Sequence, residues 1–128
     1  MSGEVLFNIK RLIDLTMSDQ RLMNRKEIAK KFADAVLKNF GDKIENIILF
    51  GSVARGKSNE ESDIDILVII KEEDFRIRRE LIGMAFRVLL KTHNDISVKV
   101  LSKRDFDAAV NISFIRHIRS EGIPIGRN

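Results

Sequence analysis

The chain has no cysteine, no tryptophan and no tyrosine among its 128 residues, and its single proline is Pro124. Without cysteine it can form neither disulfides nor a thiolate metal site, which suits a reducing compartment, so we expect a cytoplasmic protein. No stretch approaches the ~18 apolar residues that a transmembrane helix needs, and the N-terminus lacks the pattern of a signal peptide. We therefore expect no membrane association.

Aromatic residues are few, and the excess of positive charge is modest. Phenylalanine accounts for all of the aromatic residues, and the formal net charge is +4 with a pI of about 9.6. Such a charge allows polyanionic partners such as nucleotides. Because the basic residues are scattered and base stacking would depend on Phe and His alone, nucleic acid is not an expected partner.

Composition and apolar spacing predict one α/β domain. Hydrophobic residues make up 44% of the chain and charged residues 33%, which is the balance of a globular protein. We expect a small mixed β-sheet flanked by helices, with residues 1–18 as an N-terminal helical extension and residues 19–128 as the main domain. The predicted helices cover about 4–16, 19–40 (with Ser18 as N-cap), 72–91, 103–111 and a last stretch ending at 120, and the predicted strands cover 47–50, 64–70 and 95–101.

Two aspartates stand one residue apart at the start of the apolar run 64–70. Residues i and i+2 of a strand share a face, so Asp63 and Asp65 project together with Cα atoms ~6.6–7 Å apart. Like charges so placed repel each other, and a cation between them would relieve the repulsion. Carboxylate-only sites suit Mg²⁺, with Mn²⁺ as the alternative. Taken alone, however, such a pair more often caps turn amides than binds a metal.

A glycine–serine pair precedes the acids and changes this interpretation. Gly51 ends an apolar run, and Ser52 opens a polar turn. Glycine lets a phosphate approach the backbone closely, and the N–H groups and hydroxyl that follow can bind its oxygens. A phosphate cradle next to a metal predicts a site for a nucleoside triphosphate. Arg55, between the cradle and the acids, is a further candidate for binding the triphosphate, whereas Lys57 is more typical of a solvated loop.

The stretch GSVARGKSNEESDIDILV resembles the core motif of the DNA polymerase beta superfamily of nucleotidyltransferases, and it is most similar to the small standalone minimal nucleotidyltransferases of bacteria and archaea. The resemblance extends over roughly residues 45–125. It implies a nucleotidyltransferase fold and Mg²⁺-dependent transfer of a nucleotidyl group, with AMP from ATP as the first choice and pyrophosphate released. It also implies that Gly51 and Ser52 hold the β- and γ-phosphates and that Asp63 and Asp65 ligate the metals, of which we expect two.

The family takes a third carboxylate from the next strand, and the resemblance is weaker there. By register against the residues VLSKRDF, that position falls on Ser97, which is not an acid. Asp95 lies two residues earlier on the same face, and it can serve if the strand is shifted by one pleat or if its end bends toward the site. We choose Asp95 as the third metal ligand and as the base for the attacking hydroxyl. If neither position supplies a carboxylate, activity is expected to be slow or absent.

The resemblance also suggests a partner. Minimal nucleotidyltransferases of this kind often pair with a small helical HEPN-domain protein, and they can act as antitoxins by adding AMP to a tyrosine of that partner. The present chain has no tyrosine, so that chemistry requires an acceptor on another molecule. An apolar stripe near the N-terminus packs on the domain or docks a partner or a second copy, which leaves a homo-oligomer open; it comprises Val5, Leu6, Ile9, Leu12 and Ile13.

Two other functions compete with this hypothesis. The acceptor could be a small hydroxylated molecule such as an aminoglycoside, although the chain has no obvious second domain to build a pocket for it. Alternatively, the protein could be a catalytically idle module that binds a partner, and the serine at position 97 is the best support for that interpretation. RNA tailing ranks last, because no RNA-binding appendage is apparent.

Overall fold

The computed structural model describes residues 24–56 and 63–126. Its elements follow one another as a mixed α/β chain, and this confirms the predicted fold class. They are α1 (Arg25–Phe40), a 3₁₀ turn (Gly41–Lys43), β1 (Ile44–Phe50), α2 (Gly51–Ala54), β2 (Ile64–Ile70), α3 (Phe75–Thr92), β3 (Ile96–Ser102), α4 (Lys103–Ala108), α5 (Ser113–Glu121) and β4 (Ile123–Pro124).

Four strands form one sheet in the order β3-β2-β1-β4. Strand β1 is antiparallel to both β2 and β4, whereas β2 and β3 are parallel. Strand β2 therefore lies in the interior of the sheet, and its neighbouring residues Ile66 and Leu67, which face opposite sides, are both fully buried. The almost continuous apolar run predicted this burial on both faces.

Helices cover the two faces of the sheet unequally. Helices α1 and α3 pack on one face, where their apolar residues join those of the strands in the larger core. The opposite face carries a smaller cluster made by α4, α5 and the strands, which consists of Ile48, Leu67, Ile69, Phe106, Ile115 and Ile118. Because strand side chains alternate, Asp65 shares a face with Leu67 and so lies on the side of this smaller cluster.

Some predicted boundaries were wrong. Helix α1 begins at Arg25, because the Asn24 side chain caps it by accepting a 2.9 Å hydrogen bond from the Glu27 N–H, and residues 19–23 of the predicted helix lie outside the described residues. Strand β1 starts at Ile44, three residues earlier than its apolar run suggested, since Ile44 and Asn46 also pair with β2. The predicted helix over 4–16 and the extension 1–18 lie outside the described residues.

The C-terminal part differs in two further respects. Ser102 caps α4 as expected, its hydroxyl accepting a hydrogen bond from the Asp105 N–H, but this helix ends at Ala108 rather than near residue 111. The residues after Gly122, for which no strand was predicted, add strand β4 to the edge of the sheet by pairing Pro124 with Ile48. In the part of the chain that the structure describes, no helix is both long and apolar enough to cross a membrane.

Candidate active site

The turn between β1 and α2 lies directly against an acidic side chain. Gly51 has a φ of 74°, a left-handed conformation that suits glycine, and it starts α2 immediately after the strand. A Cβ atom added at Gly51 would overlap the carboxylate of Asp65. Ser52 follows, half-buried. The sequence predicted a polar turn here; in the structure it is a single helical turn, and the glycine makes room for the acid.

Asp65 lies at the centre of a row of side chains that crosses three strands. Its register partners are Phe50 on β1 and Ser97 on β3. Asp65 is half-buried, whereas Asp63, which precedes β2, is exposed. Among residues 24–56 and 63–126, no three His, Cys, Asp or Glu side chains lie close enough together to hold a metal ion. The pair Asp63 and Asp65 is thus the acidic part of the site that the structure offers, and its role as a metal site stays a prediction.

The positive charges near Asp63 and Asp65 do not fully offset the negative charge of these two carboxylates. Burial raises the pKa of the Asp65 carboxyl above its ordinary value, and the neighbouring charge of Asp63 raises it further. The positive charges of Lys99 and Arg55 act in the opposite direction without cancelling the rise in the pKa. A cation between the two carboxylates would favour the ionised form of Asp65, which agrees with the sequence argument.

The register of β3 bears on the third acidic position. Ser97 pairs with Asp65, so the residue found by register against VLSKRDF is indeed the neighbour of the half-buried acid. Asp95 lies one pleat earlier, where its backbone carbonyl accepts a 2.9 Å hydrogen bond from the Ile64 N–H. Its side chain is exposed and lines a groove of about 390 Å³ together with Asp63 and Ser97. Asp95 as third ligand stays a prediction.

Arg55 reaches the site from the end of α2. It is exposed, forms an ion pair of 3.6 Å with Glu121 of α5, and acts electrostatically on Asp65. Glu121 was not predicted as part of the site, since it lies 66 positions further along the chain and no local motif links it to Arg55. Lys99 follows Ser97 by two residues on β3; its side chain is exposed, and its positive charge acts to lower the pKa of Asp65. Lys57 lies outside the described residues.

An aromatic pair beside the acids was not predicted. Phe50, the β1 partner of Asp65, contacts Phe114 of α5 edge to face, with ring centroids 5.4 Å apart. The ammonium of Lys99 lies 5.9 Å from the centroid of the Phe114 ring. No local motif connects these three residues, because the fold brings them together from three different elements.

Comparison with known proteins agrees with this geometry. The family described as the nucleotidyltransferase domain matches residues 29–120 of the chain. Two proteins of Methanocaldococcus jannaschii, each named “Putative protein adenylyltransferase”, are 40% and 34% identical over 100 residues; these alignments cover 78% and 77% of this chain and 96% of each relative.

Solved structures share the fold. One is described as a toxin-antitoxin with AMP-PNP; it is 24% identical with a TM-score of 0.52 and aligns 77% of this chain with 73% of that chain. Another is a mutant of the toxin-antitoxin MntA-HpeT, 23% identical with a TM-score of 0.51, aligning 83% of this chain with 75% of that one. The matched family, the full-length archaeal relatives and the shared fold together show that this chain belongs to the nucleotidyltransferase domain family, as its motif indicated, and is a nucleotidyltransferase.

Proposed function

We propose that the protein transfers AMP from ATP, in the presence of Mg²⁺, to a tyrosine hydroxyl of a HEPN-type partner protein and so acts as the antitoxin of a two-protein system. The observation that carries the proposal is the contact of Gly51 with Asp65. A turn that only reversed the chain would have no need to place a glycine where a Cβ would strike a carboxylate. A turn that brings phosphates next to a carboxylate-bound cation does need it.

The residues at the site fit a magnesium–nucleotide complex. Enzymes of this family generally use divalent metal ions. Mg²⁺ keeps several waters and is commonly bound by one or two carboxylates together with substrate phosphates, so Asp63 and Asp65 suffice to hold it, with Asp95 as the proposed third ligand. When bound, the metal neutralises the triphosphate and favours ionisation of the attacking hydroxyl. We assign Mg²⁺ rather than a thiolate-binding metal because the chain has no cysteine.

Backbone and side-chain groups of the chain supply the remaining functions. The backbone N–H groups after Gly51 and the hydroxyl of Ser52 bind the β- and γ-phosphates, and the Arg55 guanidinium adds positive charge where pyrophosphate leaves. Asp95 receives the proton of the attacking hydroxyl. The ion pair with Glu121 holds Arg55 on the side of the site that faces α5.

A protein acceptor is supported by the relatives and by an exposed apolar surface. The archaeal relatives are named as protein adenylyltransferases, and two structures with the same fold are described as toxin-antitoxin proteins. Helix α3 has a second apolar face besides its buried one. This exposed face comprises Phe75, Ile82, Phe86, Leu89 and Leu90, and three of its residues line the same groove as Asp63 and Asp95. A partner helix lying there would contact the mouth of the active site.

The test is adenylyl transfer with the partner present. The protein is incubated with α-labelled ATP and Mg²⁺, with and without a co-expressed HEPN-type protein, beside the double variant Asp63→Asn, Asp65→Asn. We expect label on a tyrosine of the partner, reduced on the order of 100-fold or more in the double variant because the metal loses its ligands. The control Asp34→Asn removes an exposed acid of α1 and should transfer label as the wild type does.

A second function rests on a specific observation, the serine beside Asp65. If Ser97 deprives the site of its third acid, the protein is a catalytically idle module that holds its partner by shape and charge. That alternative predicts partner binding that survives in the double variant, with no label transferred by any form of the protein. Label that appears on a small hydroxylated molecule but never on a protein would instead favour the small-molecule acceptor.

A further inference from the structure

A second cavity lies on the same face of the sheet as Asp65. It has a volume of about 360 Å³, and its floor is made by Leu67 and Lys99, which are register partners on β2 and β3. Leu67 follows Asp65 by two residues and Lys99 follows Ser97 by two, so this floor is one pleat away from the row that contains the acid. The rest of its apolar lining comes mainly from Leu101, Ala109, Ile112 and Phe114.

The rim of the cavity exposes apolar side chains that the fold holds in place. Ile112 is 56% exposed and Phe114 is 38% exposed. The Phe114 ring contacts Phe50 edge to face, and the ammonium of Lys99 lies 5.9 Å from the centroid of the Phe114 ring. Concave apolar sites of a few hundred Å³ with a small number of polar groups are typical of ligand-binding sites, and here the polar groups are Lys99 and Asp105.

The position of the cavity relative to the phosphate cradle indicates which substrate it receives. Gly51 and Ser52 follow β1, whereas Lys99 belongs to β3, and these two strands lie on opposite sides of β2. In phosphoryl transfer the attacking and leaving oxygens lie roughly in line on opposite sides of the phosphorus. With the leaving pyrophosphate at the end of β1, a hydroxyl that attacks in line approaches from the β3 side of Asp65, which is the side on which Lys99 of the cavity floor lies.

We propose that this cavity is the acceptor subsite and that it receives the aromatic ring of the acceptor tyrosine, with Phe114 and Ile112 selecting for the ring. The inference rests on the proposed function. The phenol oxygen forms a bond to the α-phosphorus of ATP while the bond from that phosphorus to the bridging oxygen breaks. Pyrophosphate leaves with the electron pair, and the phenol proton passes to Asp95. A serine or threonine acceptor would leave the apolar cavity unfilled.

This subsite is tested by measuring the KM for ATP and the KM for the acceptor protein separately. The variants Phe114→Ala and Phe114→Leu are assayed for AMP transfer to a tyrosine-bearing HEPN-type partner, with Val110→Ala as the control, since Val110 is exposed nearby but does not line the cavity. We expect the KM for the acceptor to rise about tenfold in both Phe114 variants and the KM for ATP to stay within about twofold. Phe114→Leu keeps an apolar side chain and is therefore expected to fold. A loss of transfer activity in this variant is then not due to misfolding alone.

Binding of a small probe provides a second readout. N-acetyl-tyrosinamide is titrated into the wild-type protein while the methyl signals of Leu67, Leu101 and Ile112 are followed by NMR. We expect these signals to shift, and the shifts to be lost in Phe114→Ala. N-acetyl-serinamide should not shift them.

Three results would overturn the inference. Transfer to tyrosine that persists with an unchanged acceptor KM in both Phe114 variants rejects the subsite and leaves the proposed function intact. A rise in the KM for ATP instead assigns the cavity to the nucleotide base. If the wild-type protein transfers no AMP to tyrosine under any condition, the proposed function fails and the subsite fails with it.

Discussion

The contact between Gly51 and Asp65 makes a sharp prediction at the scale of single residues. Gly51→Ala should cost about 1–2 kcal/mol of stability, because alanine is strained at a φ of 74°, and it should also displace the Asp65 carboxylate. Since the carboxylate is the proposed metal ligand, transfer activity should fall at least about tenfold. Stability is measured by denaturant unfolding, and activity by transfer of labelled AMP.

Gly56→Ala is the matched control for this substitution. Gly56 has a nearly identical φ of 72°, but a Cβ there would meet nothing within 4 Å. It should lose a similar amount of stability and keep its activity. Equal losses of activity in both variants would show that the backbone strain matters and that the contact with Asp65 does not.

The raised pKa of Asp65 predicts how stability depends on pH. The folded protein holds the Asp65 proton more tightly than the unfolded chain does, so this group's contribution to the free energy of unfolding falls as the pH rises from the ordinary carboxyl value of 3.8 through the raised one. Without metal, Asp65→Asn should therefore melt above the wild type at pH 7. The difference should shrink as the pH falls below about 3.8.

Thermal melting at several pH values, with and without magnesium and nucleotide, measures this effect. Mg²⁺–ATP should stabilise the wild type but not Asp65→Asn, because the ligand binds only the folded protein that has the acid. A variant that melts below the wild type at pH 7 without metal would mean that attraction to Lys99 and Arg55 outweighs the burial of Asp65.

At this scale the sequence suggests candidate site residues only where they are close in the chain. The glycine, the serine and the two aspartates could be proposed because they are neighbours in one short motif, and their roles stay predictions. The contributions of Phe50, Phe114 and Glu121 were not found, since each depends on elements that meet only in the folded chain. Pairwise contacts across more than fifty residues leave no local pattern to detect.

At the scale of elements, the register between β2 and β3 can be tested directly. Because Ser97 pairs with Asp65, Ser97→Asp should place a new carboxylate beside the existing acid and raise the affinity for Mn²⁺ about tenfold. Ser97→Asn, which is polar but uncharged, is the matched control and should leave the affinity near that of the wild type. Calorimetric titration with Mn²⁺ measures both.

The same titration examines the predicted third ligand. If Asp95→Asn weakens Mn²⁺ binding in the wild-type background, Asp95 contributes from its place one pleat away. Should Ser97→Asp fail to strengthen binding while Asp95→Asn abolishes it, the strand is shifted relative to the register described above.

Elements in which apolar residues recur at regular spacing were predicted well. Elements whose bounds depend on a capping side chain or on pairing at the sheet edge were not. The alternation of Ile96, Val98 and Val100 placed β3 correctly because one of its faces packs on the core. Strand β4 was not predicted because two residues are too few to show an alternating pattern. They form a strand only because they pair with β1. Helix α1 starts where Asn24 caps it, and several residues near it are also typical caps.

At the scale of the whole molecule, the order of the strands in the sheet determines which residues meet at the candidate active site. Parallel β2 and β3 bring Asp65 and Ser97 into one row, and antiparallel β1 brings the Gly51 turn to the same end of the sheet. Local pattern predicted a mixed sheet but not the order of its strands, because strand order depends on long-range pairing. The resemblance of the motif to a known family supplied the fold.

The central claim is that Asp63 and Asp65 hold a divalent cation beside a phosphate cradle at Gly51 and Ser52. The most direct test is paramagnetic broadening of backbone amide signals by Mn²⁺–ATP in the wild type and in the double variant Asp63→Asn, Asp65→Asn. The account predicts the strongest broadening at these four residues in the wild type, with Ile70 at the far end of β2 little affected, and its loss in the double variant. Broadening centred elsewhere, or unchanged in the double variant, would contradict it.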